Sequence, residues 1–175
     1  MNGSTLILKA AAFAARKHRD QRRKDAESSP YINPPLELTR VLSEVGGVAD
    51  VATLCAALLH DTIEDTATSE QELAQCLGPE IAALVSEVSD DKSLPKAQRK
   101  RLQVEHAATI STKAKRVKLA DKICNLTDVA CSRPADWTLQ RRREYFDWAK
   151  QVIDRLRGVD AVLESAFDQA YAARP

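Results

Sequence analysis

Long apolar runs are missing from this sequence: no stretch approaches the roughly 20 consecutive apolar residues that span a bilayer. The first nine residues also lack a basic segment followed by an apolar run and a small-residue cleavage site. A secreted or membrane protein is therefore not expected, and the cytoplasm is the expected location. An excess of one charge is missing too. The 26 Lys+Arg against 25 Asp+Glu leave a net charge of +1, which argues against a protein built to grip nucleic acid, since such domains are usually strongly basic. Cys55, Cys76, Cys124 and Cys131 have no CxxC spacing. They read as small thiols in a reducing compartment, not as zinc ligands or a disulfide framework.

Glycine (5) and proline (7) are scarce and fall at boundaries, and period-two runs of valine and isoleucine are absent. What remains, rich in alanine and leucine, reads as nearly all helix. At 175 residues the chain is long enough for one domain and too short for two ordinary ones, so residues 1–175 read as one all-α unit. A first helix is expected over residues 5–24, with Leu6, Ala10, Phe13 and Ala14 on one face, followed by a loop over residues 25–31. A short hairpin near residues 22–32 is compatible with this reading. Asn33 then offers an N-cap, with Pro34 at the first helical position and Gly46-Gly47 at the end. Asp50 opens a helix through Leu59 that is apolar on nearly all sides and so central. Ser69 and Glu72 form a capping box for a helix closed by Gly78. Pro79, Pro95, Thr112 and Thr138 mark four more starts, and Gly158 precedes a terminal helix.

Chemistry is concentrated where that central helix stops. In AALLHDTIEDT (residues 56–66), ionisable groups follow directly on the most hydrophobic helix of the chain. Buried charges are costly unless paired or bound to a metal. At helical spacing Glu64 lies one turn beyond His60 and Asp65 one turn beyond Asp61. Such a set can offer an imidazole and a carboxylate to a cation and leave two carboxylates to handle a water. An exposed helix end decorated with acids is an equal alternative for this stretch taken alone. A second intrusion occurs in VKLADKICNL (residues 117–126), where Asp121 stands on or beside an apolar face. Its partner is either a metal shared with His60 and Asp61, or Lys118 or Lys122 in a salt bridge.

A His-Asp doublet at a helix end with a distant Asp on a later helix resembles the HD-domain metal-dependent phosphohydrolases. More narrowly, five ordered segments are similar to the small alarmone hydrolases, stand-alone relatives of the hydrolase domain of RelA/SpoT proteins. The segments are FAARKHRDQRRKDAESSPYIN, AALLHDTIEDT, SDDKSLPKAQRKRLQVEHA, VKLADKICNL and REYFDWA, and the likeness covers residues 5–170. The resemblance implies the HD-domain helical fold and hydrolysis of the 3′-pyrophosphate of guanosine tetra- and pentaphosphate, giving GDP or GTP and pyrophosphate. It implies one divalent metal, typically manganese, held by His60, Asp61 and Asp121. Glu64 and Asp65 match the acidic pair that places and activates the attacking water. Arg23 and Lys24 match a basic pair near the nucleotide, and Asn125 a residue at the site. Lys96, in the basic run from Lys92 to Arg101, matches a phosphate contact, and Arg141 with Tyr145 match a late substrate-side pair. Phe146 and Trp148 read as core. His18 reads either as support for the site or as a satisfied structural histidine.

One position departs from the family. Where its pattern is Tyr-Ile-x-His-Pro, with the histidine a metal ligand, this chain has Tyr31-Ile32-Asn33-Pro34-Pro35. Proline cannot ligate, so the set loses one imidazole and its preference for transition metals weakens. An oxygen-rich set still binds hard divalent cations. Two alternatives follow: a catalytically weakened relative that binds the nucleotide, and an HD phosphohydrolase of another nucleotide. Oligomeric state cannot be read from these residues.

Overall fold

Side-chain caps at Asp50, Ser69 and Thr138 place three helix starts where the sequence puts them, whereas the first helix begins two residues before the expected Thr5. In the computed structural model, which describes residues 2–23, 27–131 and 137–175, Asn2 accepts from Thr5 N–H ahead of α1 (Gly3–Lys17). Asp50 accepts from Thr53 N–H ahead of α3 (Val51–Leu59). Between them, α2 (Asn33–Arg40) continues as a π-helical turn, Val41–Val45. A four-residue helix α4 (Thr62–Asp65) follows α3. Ser69 caps α5 (Glu70–Leu77) by accepting from Glu72 N–H. Then come α6 (Pro79–Val88), α7 (Lys96–His106) and α8 (Thr112–Cys131). Thr138 caps α9 (Leu139–Asp154) and Asp160 caps α10 (Ala161–Ala172). The described residues contain no strand, and no helix among them is long and apolar enough to cross a membrane.

Helix α3 is the axis of the packing, with α1, α2, α6 and α8 against it. Helices α5, α9 and α10 form the outer layer on α6 and α8, and α7 lies on α9. The buried residues form one cluster that runs from Ala10 to Phe167 and includes Phe146; Trp148 is half-buried against it. Gly46 permits a close approach here, because a β-carbon on it would stand 2.9 Å from both the Leu42 carbonyl oxygen and Leu163 Cγ.

Three local expectations are corrected. Helix α1 stops at Lys17, seven residues before the expected end at Lys24, although nothing in KHRDQRRK breaks a helix. His18 turns inward, Gln21 N–H donates to the His18 carbonyl, and the chain leaves in a one-residue antiparallel bridge between Arg22 and Pro30. That bridge, with Arg23 N–H to the Ser29 carbonyl (2.9 Å), is the hairpin-like feature near residues 22–32. Next, α2 begins one residue earlier than expected: Ile32 is its N-cap without a side-chain bond, and Asn33 is already helical. Finally, His60 is the C-cap of α3 and Glu64 lies on α4, so the two are not one turn apart on a single helix. Helix α3 ends at Leu59, and Thr62 Oγ1 donates to the freed Leu59 carbonyl at 2.6 Å.

Candidate active site

The break after α3 carries His60 and Asp61 out of the core at the floor of a cleft with room for about 480 Å³ of solvent. Helix α4 sets Glu64 and Asp65 along one wall. Helix α8 supplies Lys118, Asp121, Asn125 and Asp128, the loop after α6 supplies Asp90 and Lys92, and the segment before α2 supplies Arg22, Arg23 and Tyr31. Of the residues predicted from sequence, Arg23, His60, Asp61, Glu64, Asp65, Asp121 and Asn125 therefore share one cleft. Pro34 lines it too, at the start of α2.

His60 Nδ1–H donates to the Ala57 carbonyl (2.8 Å), which leaves Nε2 toward the cleft, 3.2 Å from Asp61 Oδ1. Burial opposes a charge on this ring, but Asp61 and Asp121 outweigh it and raise its pKa. Asp121 is also buried, which alone would push its pKa up. Lys122, His60 and Lys118 instead hold it at about 2. Its oxygens accept from Lys122 Nζ (2.9 Å) and Asn125 Nδ2 (2.6 Å). The Lys122 side chain, only 4% exposed, also stands 4.5 Å from the Trp148 ring centre. Asp121 thus has a lysine partner, and it shares the cleft with His60 and Asp61.

Glu64 is 13% exposed, and burial, with Asp90 and Asp61 nearby, raises its pKa. Its Oε1 accepts from Asp90 N–H at 2.7 Å, and Lys92 Nζ lies 3.5 Å from Oε2. Asp65 Oδ1 accepts from Lys92 Nζ at 2.8 Å. A carboxylate that is desolvated and held from one side is suited to taking a proton.

The donor chemistry of His60, Asp61 and Asp121 fits a divalent ion: one imidazole nitrogen and two carboxylates on one cleft. Among the described residues that line the cleft, the acids Asp61, Glu64, Asp65, Asp90, Asp121 and Asp128 outnumber the cations Arg22, Arg23, Lys92 and Lys118, and Lys122 adds one more against Asp121 from beside it. A phosphorylated ligand needs a further positive charge in such a cleft. Among the described residues, no group of three His, Cys, Asp or Glu side chains is already gathered at ion-holding distance. Each Asp121 oxygen accepts one hydrogen bond and keeps a further lone pair for an ion.

Three predicted contacts stand outside the cleft lining. Lys96 is exposed at the first residue of α7. Arg141 is exposed on α9 and covers the Trp137 ring at 4.4 Å. Tyr145 packs between Trp137 and Trp148, with ring centres 5.3 Å away on each side, and burial raises its pKa to about 12. Lys24 lies outside the described residues. Conversely, Asp128 carries no sequence signal, since it is a lone acid whose place depends on packing, and Asp90, in the SDDK segment, is not singled out from its neighbours. Tyr31 and Lys118 sit in segments singled out for other residues.

A family model described as an HD domain matches residues 10–147. The guanosine-3′,5′-bis(diphosphate) 3′-pyrophosphohydrolase MESH1 of Xenopus tropicalis is 53% identical over 168 residues, 96% of this chain and 94% of that protein. Its counterpart from Homo sapiens is 51% identical over the same shares. Among solved structures, a metazoan ortholog of SpoT that hydrolyzes ppGpp superposes with a TM-score of 0.93 at 46% identity, covering 97% of this chain and 95% of the other.

Proposed function

The chain belongs to the HD-domain family, and we propose that it hydrolyses the 3′-pyrophosphate of guanosine 3′,5′-bis(diphosphate) and of the corresponding pentaphosphate, releasing GDP or GTP and pyrophosphate. The observation that carries this is the identity of about half of all positions, over nearly the whole chain, with relatives named for that reaction. Neither a catalytically weakened relative nor an enzyme for another nucleotide is favoured by those relatives. We take residues 1–175 as one hydrolase domain. Its four free cysteines would stay reduced in the cytoplasm, where we place it.

Hydrolysis of this kind in the HD-domain family depends on a divalent metal. Here His60, Asp61 and Asp121 would hold one ion, manganese by our reading. Once bound, it supplies Lewis acidity and positive charge against the phosphoryl oxygens. The remaining work falls to the chain. Glu64 takes the proton of the attacking water, helped by burial that makes its carboxylate a stronger base than one in solvent. Asp65, braced by Lys92, orients that water. Arg23 and Lys24 hold the phosphates, and Arg23 is itself oriented by Asp128. Asn125 stands beside the nucleotide. Lys96, Arg141 and Tyr145 reach the outer part of the substrate from α7 and α9. Release of labelled pyrophosphate from guanosine tetraphosphate, with and without manganese, tests the proposal. Metal-dependent release is expected, and no release at saturating manganese overturns it.

A further inference from the structure

The two acids Asp61 and Asp65 face each other across α4 with a single tyrosine between them. Tyr31 Oη lies 3.0 Å from Asp61 Oδ2 and 3.0 Å from Asp65 Oδ2. A phenol has one proton to donate, so one O–H serves two carboxylates that repel each other. The other oxygen of each acid is engaged separately: Asp61 Oδ1 by His60 and Asp65 Oδ1 by Lys92. Tyr31 is thus the side chain that ties these two acids to one another.

The tyrosine is itself held from behind. Its ring lies against the His18 ring, with centres 4.9 Å apart and planes inclined by 31°. His18 is only 2% exposed. Gln21 fixes its tautomer: the amide Nε2 donates to the Asp65 carbonyl (2.6 Å), so Oε1 faces His18 Nδ1 (2.7 Å), which must carry the proton. Among the described residues, His18 Nε2 has no partner, and the ring offers its flat face to Tyr31. The backbone adds a tie, Tyr31 N–H to the Gln21 carbonyl.

We propose that Tyr31, backed by His18 and Gln21, is a positioning residue for the hydrolysis: its one phenolic O–H sets the spacing between Asp61, on the metal side, and Asp65, on the water side. This rests on the functional reading above.

Tyr31→Phe removes the hydroxyl and leaves the ring on His18. Loss of an outer partner to a ligand typically costs about 10–100-fold in metal affinity or activity. For this variant we expect kcat for pyrophosphate release to fall in that range with KM unchanged. Manganese affinity of the nucleotide-free protein, read by electron paramagnetic resonance of free Mn²⁺, should weaken by a similar factor, and the melting temperature should hold. Unchanged kcat and unchanged manganese affinity overturn the proposal. A raised KM with kcat intact also overturns it, since Tyr31 would then be a substrate contact. Wild-type protein that releases no pyrophosphate overturns the functional reading and not this one, which the manganese titration judges by itself.

Discussion

Eight of the nine residues of α3 are buried, whereas α7, two residues longer, buries none, and the proposed mechanism asks different kinds of group of the two. Helix α3 is clamped on several sides and hands His60 and Asp61 to the cleft from its C-terminal end. Helix α7 leans on α9, where the Trp148 indole donates to the Lys100 carbonyl at 3.0 Å and Lys100 Nζ covers the Trp148 ring. In the proposed mechanism, the groups that must be placed to a fraction of an ångström follow the most buried helix, and those that act by charge over longer distances sit on an exposed one.

The largest expected effect sharpens the α3 side of this contrast. Glu64→Gln keeps the oxygen that accepts from Asp90 N–H and removes the base. Turnover should fall about 10²–10⁴-fold, with nucleotide binding largely kept; equal loss of both would make Glu64 structural. Stability should move the other way. Because burial raises the Glu64 pKa above its unfolded value, its ionised form costs folding free energy at neutral pH. The glutamine variant should therefore melt no lower than wild type at neutral pH in metal-free buffer. Any advantage should vanish as the pH falls through the raised pKa.

Leu59 is fully buried at the last turn of α3. Leu59→Ala should destabilise by about 2–5 kcal/mol, visible in thermal melting as roughly 2–4 °C per kcal/mol. Leu102→Ala on half-buried ground in α7 should cost clearly less. Equal losses would break the contrast between a rigid and a peripheral helix.

Pro34 tests the metal side. It lines the cleft in the position where the family pattern has histidine. Pro34→His should tighten manganese binding by about 10–100-fold and raise hydrolysis at limiting metal, with little change in melting because the residue lies in the first turn of α2. Superimposable manganese titrations of the two proteins would show that another ligand already fills that role.

The smallest effects belong to α7 and α9. Lys96→Ala and Arg141→Ala should each raise KM by the equivalent of about 0.2–1 kcal/mol, leave kcat and melting unchanged, and lose their effect at high salt. A fall in kcat from either substitution would place that end of the molecule in the chemistry itself.

Local rules read correctly from the sequence at several caps that act within one turn, though not at Asn33. Asp50, Ser69 and Thr138 start helices because each side chain bonds an N–H three residues ahead, and α3 is central because its residues are apolar on every side. The sequence by itself thus determined an all-α chain, its main helix starts, and the presence of unexplained acids at the end of α3 and within α8. Tertiary structure alone decided where α1 stops, because the contacts at the turn around His18 come from Tyr31, on the next element, and from Asp65, dozens of residues away. It also decided that Lys122, beside Asp121 in sequence, takes its carboxylate while Lys118 donates instead to the Val88 carbonyl. Likewise Tyr31, Asp90 and Asp128 join the cleft only once helices distant in sequence are packed. Capping and amphipathicity are properties of a few consecutive residues; a shared cleft depends on distances that only packing sets.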